Sequence, residues 1–384
     1  MKNLNFFKYA LALFALTLIY NPSVMAQEFD VGGAVRYNYR SEFYESDNMP
    51  TDNYFTFDTW RLNVDGSAGG IDISFEYRFY PTFDTHFIHH GYFGYAFNDD
   101  LYMELGVTQV PFGITTYASH SWWFQSPYYV GLEDDYDMGV NFDYTGIENM
   151  KISFAYFRQA EPQGPGYGSL NGAGRYSYDI IGGTSSNGNS MSIMELNNFN
   201  GRVAYNVNEN IELGVSAQLG QTYNSALDES EWTNAFAGHI VANYGNLNFK
   251  GEVVTYDYTS VDDQGQESET VSMGAYASPY PVASEATMYV AGLAYTIPVE
   301  IGPISSIQPY VDYTFTDKSN DDFYDTQQLV PGMLITAGNI YTYVDMPFGK
   351  NHPWLTDSFG TGLGQGVQDA DWNYNLNINI GYYF

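Results

Sequence analysis

The sequence predicts an all-β chain: a transmembrane, antiparallel, up-and-down β-barrel that crosses its membrane with strands. Three observations predict it. Apolar and polar residues alternate with a period of two along nearly the whole chain, the connections between alternating segments are short and long in turn, and the last strand is aromatic and ends on Phe384. Composition agrees, since 37 Tyr, 26 Phe and 38 Gly suit short strands with aromatic girdles and suit helices poorly. The chain has no cysteine, which excludes a disulfide-built secreted scaffold. Its 45 Asp and Glu against 13 Lys and Arg give a net charge of −32, the wrong sign for a nucleic-acid partner.

Taken in order, residues 1–26 read as a signal peptide. Lys2 and Lys8 form a positive start, Ala10 to Tyr20 run apolar, Asn21-Pro22 break the run, and Val24-Met25-Ala26 offer small residues for cleavage before Gln27. Eleven apolar residues are too few to span a bilayer, which takes about 20 in a helix. Residues 27–384 are then the barrel, and export points to the outer membrane of a Gram-negative bacterium.

Alternation is plain on several strands. Ile71, Ile73, Phe75, Tyr77 and Phe79 oppose Asp72, Ser74, Glu76 and Arg78; Leu101 to Thr108 and Asp137 to Tyr144 repeat the pattern. The strand starting at His86 distinguishes its faces poorly. On the final strand Tyr374, Leu376, Ile378, Ile380 and Tyr382 oppose Asn375, Asn377 and Asn379. A soluble sandwich also alternates, so the connections decide between the two. Tight turns fall at 66–70, 98–100, 146–149, 208–210, 245–246, 298–305 and 338–339. Long connections fall at 41–53, 111–135, 160–196, 222–231, 259–286, 318–328 and 347–370, with a shorter one at 81–85. Eight long loops and seven turns give sixteen strands, and only a closed barrel satisfies every strand edge in lipid.

A terminal Phe on an alternating aromatic strand resembles the assembly signature of outer-membrane proteins. The segments Trp60-Arg61-Leu62, Phe75-Glu76-Tyr77-Arg78-Phe79 and Leu105-Gly106-Val107-Thr108-Gln109-Val110-Pro111-Phe112-Gly113 look like the phosphate-selective and dicarboxylate-type porin superfamily. The resemblance covers strands two to six best. It implies a sixteen-stranded and trimeric channel, with a Pro-Phe corner leading into its third long loop. Phosphate-selective members line their pores with many more Arg and Lys than the 13 found here. From the residues themselves, the trimer rests only on the small-residue strand Ala235 to Ala242.

The period of two places Arg36, Arg40, Arg61 and Arg78 in the lumen on adjacent strands, with Arg202, Lys151 and Lys250 on later ones. A guanidinium never deprotonates, so such a strip attracts anions durably. The third loop, 111–135, carries Glu133, Asp134 and Asp135, with Asp137 just inside the next strand. Folded inward, that loop would set acidic groups against the basic wall and form the constriction. Alternatively, the arginines simply pair with Asp65, Asp72 or Glu76. Trp122-Trp123-Phe124 and Tyr128-Tyr129 read as packing that fixes the loop, or as a stacking surface for sugars.

Other constellations are weaker. Among His86, His89 and His90 only the first and last share a face, so no metal or cofactor is expected. Acidic runs at Asp262 to Glu269 and Asp321 to Asp325 read as solvated loop surface and lack EF-hand spacing. Ser119-His120-Ser121 lacks a nucleophile elbow, and no enzyme is expected. The functional expectation is a porin for passive diffusion of small hydrophilic solutes and ions, with anions such as phosphate or dicarboxylates favoured. The alternative is a non-conducting adhesin or receptor acting through its long loops. The partners expected are membrane lipid, the diffusing solutes and two further copies of the chain.

Overall fold

The computed structural model describes residues 28–44, 53–162, 172–356 and 359–384. The expected signal peptide, 1–26, and parts of the first, fourth and eighth loops lie outside them. Among the described residues sixteen antiparallel strands form one closed sheet. β1 (Glu28–Glu42), β2 (Asn53–Ala68), β3 (Ile71–Tyr80), β4 (Thr85–Asn98), β5 (Leu101–Gln109), β6 (Tyr136–Ile147) and β7 (Met150–Ala160) come first. β8 (Ile193–Asn208), β9 (Ile211–Asn224), β10 (Glu229–Tyr244) and β11 (Leu247–Asp257) follow. β12 runs as Glu285–Tyr295 and Ile297–Ile301, β13 as Ile304–Lys318, β14 as Thr326–Ala337, β15 as Ile340–Asp345 and Phe348–Lys350, and β16 as Asn373–Tyr383.

Each strand pairs with its sequence neighbours, and β16 returns to β1 with Ala34 opposite Tyr383 and Glu42 opposite Asn375. Phe384 completes the seam, because its N–H donates to the Gly33 carbonyl at 3.1 Å and its own carbonyl accepts from Gly33 at 2.9 Å. Closure leaves no row of unpaired backbone groups, which hydrocarbon could not satisfy.

Burial is inverted relative to a soluble sandwich. Val31 is 66% exposed, Phe55 80% and Trp232 63%, all on the outer face. Asn375 and Asn377, on the inner face of β16, are 0% exposed. Each outward apolar side chain gains roughly 1.5–3 kcal/mol on leaving water, so only lipid makes this surface stable. The tight turns all lie at one end of the barrel. At Gly69-Gly70 the φ angles are 62° and 80°, which only glycine adopts without strain.

Two sequence readings of the barrel are corrected. The expected long loop at 222–231 is a four-residue connection, since β9 runs to Asn224 and β10 starts at Glu229. The histidine faces are also reassigned. Between β3 and β4 the register moves from Glu76 opposite His90 to Tyr77 opposite Ile88, leaving His89 as an extra residue. Past this bulge every side chain changes face. His86 therefore sits against outward Tyr77 and Phe79, while His89 and His90 both lie inside near Glu76. The small residues of β10 divide between the faces: Ala235 and Ala237 are buried in the core under the third loop, while Gly238 and Ala242 stand on the outer face beside Val215, Val253 and Phe249. The inward pair makes room for that loop.

Candidate functional site

The third loop decides the shape of the lumen. It leaves β5 through Val110-Pro111-Phe112-Gly113 and stays inside the barrel until β6. Gly113 has φ +55°, and a Cβ there would stand 2.1 Å from Glu252 Oε1, so the corner requires glycine. From that corner a series of wall residues on β8–β14 holds the loop backbone. Arg202 Nε on β8 donates to the Gly113 carbonyl at 2.8 Å, and Glu252 on β11 accepts from Ile114 N at 3.1 Å. Lys250 Nζ donates to the Tyr117 and Ser119 carbonyls at 2.7 and 3.0 Å. Asp312 on β13, fully buried, accepts from His120 N, Ser121 N and the His120 ring Nδ1 at 2.7, 2.9 and 2.7 Å. Gln328 on β14 donates to the Phe124 carbonyl at 2.9 Å. One 3₁₀ turn, Ser126–Val130, then packs its aromatic rings inward.

Anchored to that half of the wall, the loop leaves open the half formed by β1–β3. Arg36, Arg40, Arg61 and Arg78 line a cavity of about 380 Å³ there. Two carboxylates touch them. Arg36 Nε pairs with Asp58 Oδ2 at 2.8 Å, Arg78 Nε with Glu76 Oε1, and Arg61 Nη1 stands 3.7 Å from Glu76 Oε2. Asp58 reaches the lumen through a bulge, because Arg36 pairs with Thr59 but Tyr37 with Phe57. Among the described residues Arg40 has no carboxylate partner, and its guanidinium sits 5.3 Å from the Trp123 ring centre. Arg61 lies 4.9 Å from the ring of Tyr383 and Arg78 4.5 Å from that of Tyr176. Four fixed positive charges against two carboxylates leave this strip net positive.

The sequence reading set Glu133, Asp134 and Asp135 across from this strip. The structure places them elsewhere, and the cavity wall opposite the arginines is aromatic: Tyr117, Trp122, Trp123, Phe124 and Tyr128. Glu133 turns back to accept the Ala118 N–H at 2.9 Å. Asp134 accepts from the Tyr176 hydroxyl at 2.5 Å, one layer behind the cavity. Burial pushes its carboxyl up to about 7, with the Tyr176 hydrogen bond and the Arg78 charge opposing that rise. Asp135 and Asp137 point into a separate buried cluster with Asp179. The physical reason is the loop's return path, since its acidic end is its exit point and the span crossing the lumen is 114–130.

Arg202 and Lys151 line a second cavity of about 240 Å³ with Glu104, Asp143 and His90. There Lys151 pairs with Asp143 at 2.8 Å and Arg202 with Glu212 at 3.0 Å. Of the aromatic wall, sequence reasoning singled out Trp122 to Phe124 and Tyr128-Tyr129 as loop packing or a stacking surface, and missed Tyr276 and Trp354, which reach the first cavity from the sixth and eighth loops. Tyrosine abundance was visible, but the convergence of three loops on one spot carries no local sequence signal.

Together these features define a closed sixteen-stranded transmembrane barrel whose third loop folds inside and narrows the lumen. Solved structures share this architecture. The outer membrane channel DcaP of Acinetobacter baumannii aligns over 94% of this chain and 98% of its own, at 13% identity and a TM-score of 0.62. The anion-selective porin from Comamonas acidovorans aligns over 94% and 100%, at 14% identity and 0.61. Salmonella typhi OmpF, solved with daunomycin, aligns over 93% and 97%, at 9% identity and 0.60. At these identities the likeness is one of fold, that of outer-membrane porins. No family model and no curated protein matches the sequence.

Proposed function

We propose that the protein is an outer-membrane porin through which small hydrophilic solutes diffuse passively, with a preference for small anions such as phosphate or dicarboxylates. The observation that carries this reading is the net-positive arginine strip on β1–β3, facing the space that the third loop leaves open. Sixteen strands enclose an aqueous lumen, and the charge at the narrow part sets selectivity even though the whole chain is acidic. The fold shared with an anion-selective porin supports the same sign. A homotrimer belongs to this proposal on the family resemblance alone, and native mass measurement in detergent checks it.

The test is reversal potential across a planar bilayer in a salt gradient, for wild type and for Arg40→Ala/Arg61→Ala. These two arginines are chosen because Arg36 and Arg78 sit closest to carboxylates. A unit anion about 5 Å from one guanidinium gains about 0.8 kcal/mol even at the permittivity of water, a factor of about four. Removing both therefore lowers the anion-to-cation permeability ratio several-fold. Cation preference unchanged by the substitutions would keep the porin and remove the arginine filter. Folded barrels without conductance would favour a non-conducting surface receptor. One observation supports that second reading: side chains of the third, fourth, sixth and eighth loops share a single apolar core at the long-loop end.

A further inference from the structure

We propose that Asp135, Asp137 and Asp179 bind a hard divalent cation, calcium foremost, which staples the fourth loop to the barrel wall beside the exit of the third. Asp135 ends the third loop, Asp137 lies on β6, and Asp179 opens a short strand, Asp179–Ile181, inside the fourth loop. All three are buried, and one oxygen from each lies within 4.8 Å of the others. Oxygens bound to one calcium at 2.3–2.6 Å stand no more than about 5 Å apart, so the spacing fits a shared ion.

A second observation points the same way. Both carboxylate oxygens of Asp137 are buried without a hydrogen-bond donor, and so is Oδ1 of Asp179. The donors around the cluster are already committed. Glu161 Oε1 accepts from Tyr176 N and Ser177 N at 3.1 and 2.8 Å. Glu195 accepts from Ile180 N and the Asn198 side chain at 2.7 and 3.0 Å. Arg175 donates to the other oxygen of Asp179 at 2.9 Å and stands 3.8 Å from Glu161 Oε2. Five carboxylates thus share one guanidinium, and the oxygens left without a donor belong to Asp137, Asp179 and Glu161. Buried charge in that balance requires a cation or protons. Carboxylate oxygens alone select a hard ion, and the irregular surroundings suit calcium better than the octahedral demands of magnesium.

The bound ion also fixes part of the pore. Tyr176 and Tyr178, three residues and one residue before the ligand Asp179, line the arginine cavity, and Arg78 stacks over Tyr176.

The experiment uses the full folded barrel in detergent, stripped with EGTA and titrated with terbium, whose luminescence the adjacent Tyr136 and Tyr176 rings sensitise. One saturable equivalent displaced by calcium is expected. Asp137→Asn and Asp179→Asn should each weaken it by roughly tenfold or more, and the exposed-loop control Asp321→Asn should leave it unchanged. Calcium should raise the melting temperature of wild type and of the control alone. The absence of a saturable site, or a site indifferent to both cluster substitutions, overturns the proposal. So does an Asp137→Asn barrel that melts higher than wild type equally with and without EGTA, because protons then neutralise the cluster. If Asp137→Asn does not fold, Asp179→Asn, which lies outside the barrel wall, carries the test.

Discussion

Replacing Asp312 by alanine should release the middle of the third loop from the barrel wall. Asp312 is fully buried on β13 and accepts three hydrogen bonds from His120 and Ser121. Hydrogen bonds to a charged group contribute about 1.5–3 kcal/mol each. Lumen water recovers part of that for the freed donors, so the net loss in docking free energy is roughly 3 kcal/mol or somewhat more. Three kcal/mol changes the ratio of docked to undocked loop by about 150-fold. The anchors from Arg202, Lys250 and Gln328 remain, so the loop loosens near 118–123 while the barrel stays closed. Single-channel recording should then show higher conductance and added current noise. Asp312→Asn should fall between the two, because it retains one acceptor oxygen. The reasoning fails if a folded Asp312→Ala barrel shows wild-type conductance and noise. In that case the loop would be held by its apolar packing around Tyr128 and Val130, with the polar anchors adding nothing.

Other expectations follow from the same geometry. His352, in the eighth loop, is fully buried against Tyr129 and Trp123, and its Nδ1 accepts the Trp354 N–H at 3.1 Å. Burial pushes its imidazole down to about 3. The unfolded chain, with a histidine near 6.5, therefore binds more protons between pH 6.5 and 3, and the stability from this residue falls as pH drops through that window. Melting curves in detergent should show a shallower acid slope for His352→Gln, and an identical slope would remove His352 as the cause. Gly113→Ala should cost about 1–3 kcal/mol from its left-handed backbone alone, and a Cβ there also meets the Glu252 carboxylate. Its readout is the same conductance increase as for Asp312→Ala, with heat-modified mobility on gels confirming a folded barrel.

Much of the barrel was legible because a strand's period of two is written residue by residue. The polar row Asn375, Asn377 and Asn379 facing in, the seven tight turns and the positions of Arg36, Arg40, Arg61 and Arg78 all follow from local pattern and turn chemistry. Where a single residue interrupts that period the reading failed, as at the His89 bulge. There the pairing partner on β3 decides the face, and nothing within β4 records it.

The site was legible only in part. The sequence by itself determined an alternating, closed, charge-bearing wall, because strand faces and turn geometry depend on neighbours within a few positions. Only the tertiary structure decided what stands opposite that wall. It crosses the lumen with Tyr117 to Tyr128, returns Glu133 and Asp134 behind it, and gathers Asp135 and Asp137 with Asp179 from another loop. Those meetings depend on contacts between residues tens to hundreds of positions apart, such as His120 with Asp312, and no local period encodes them.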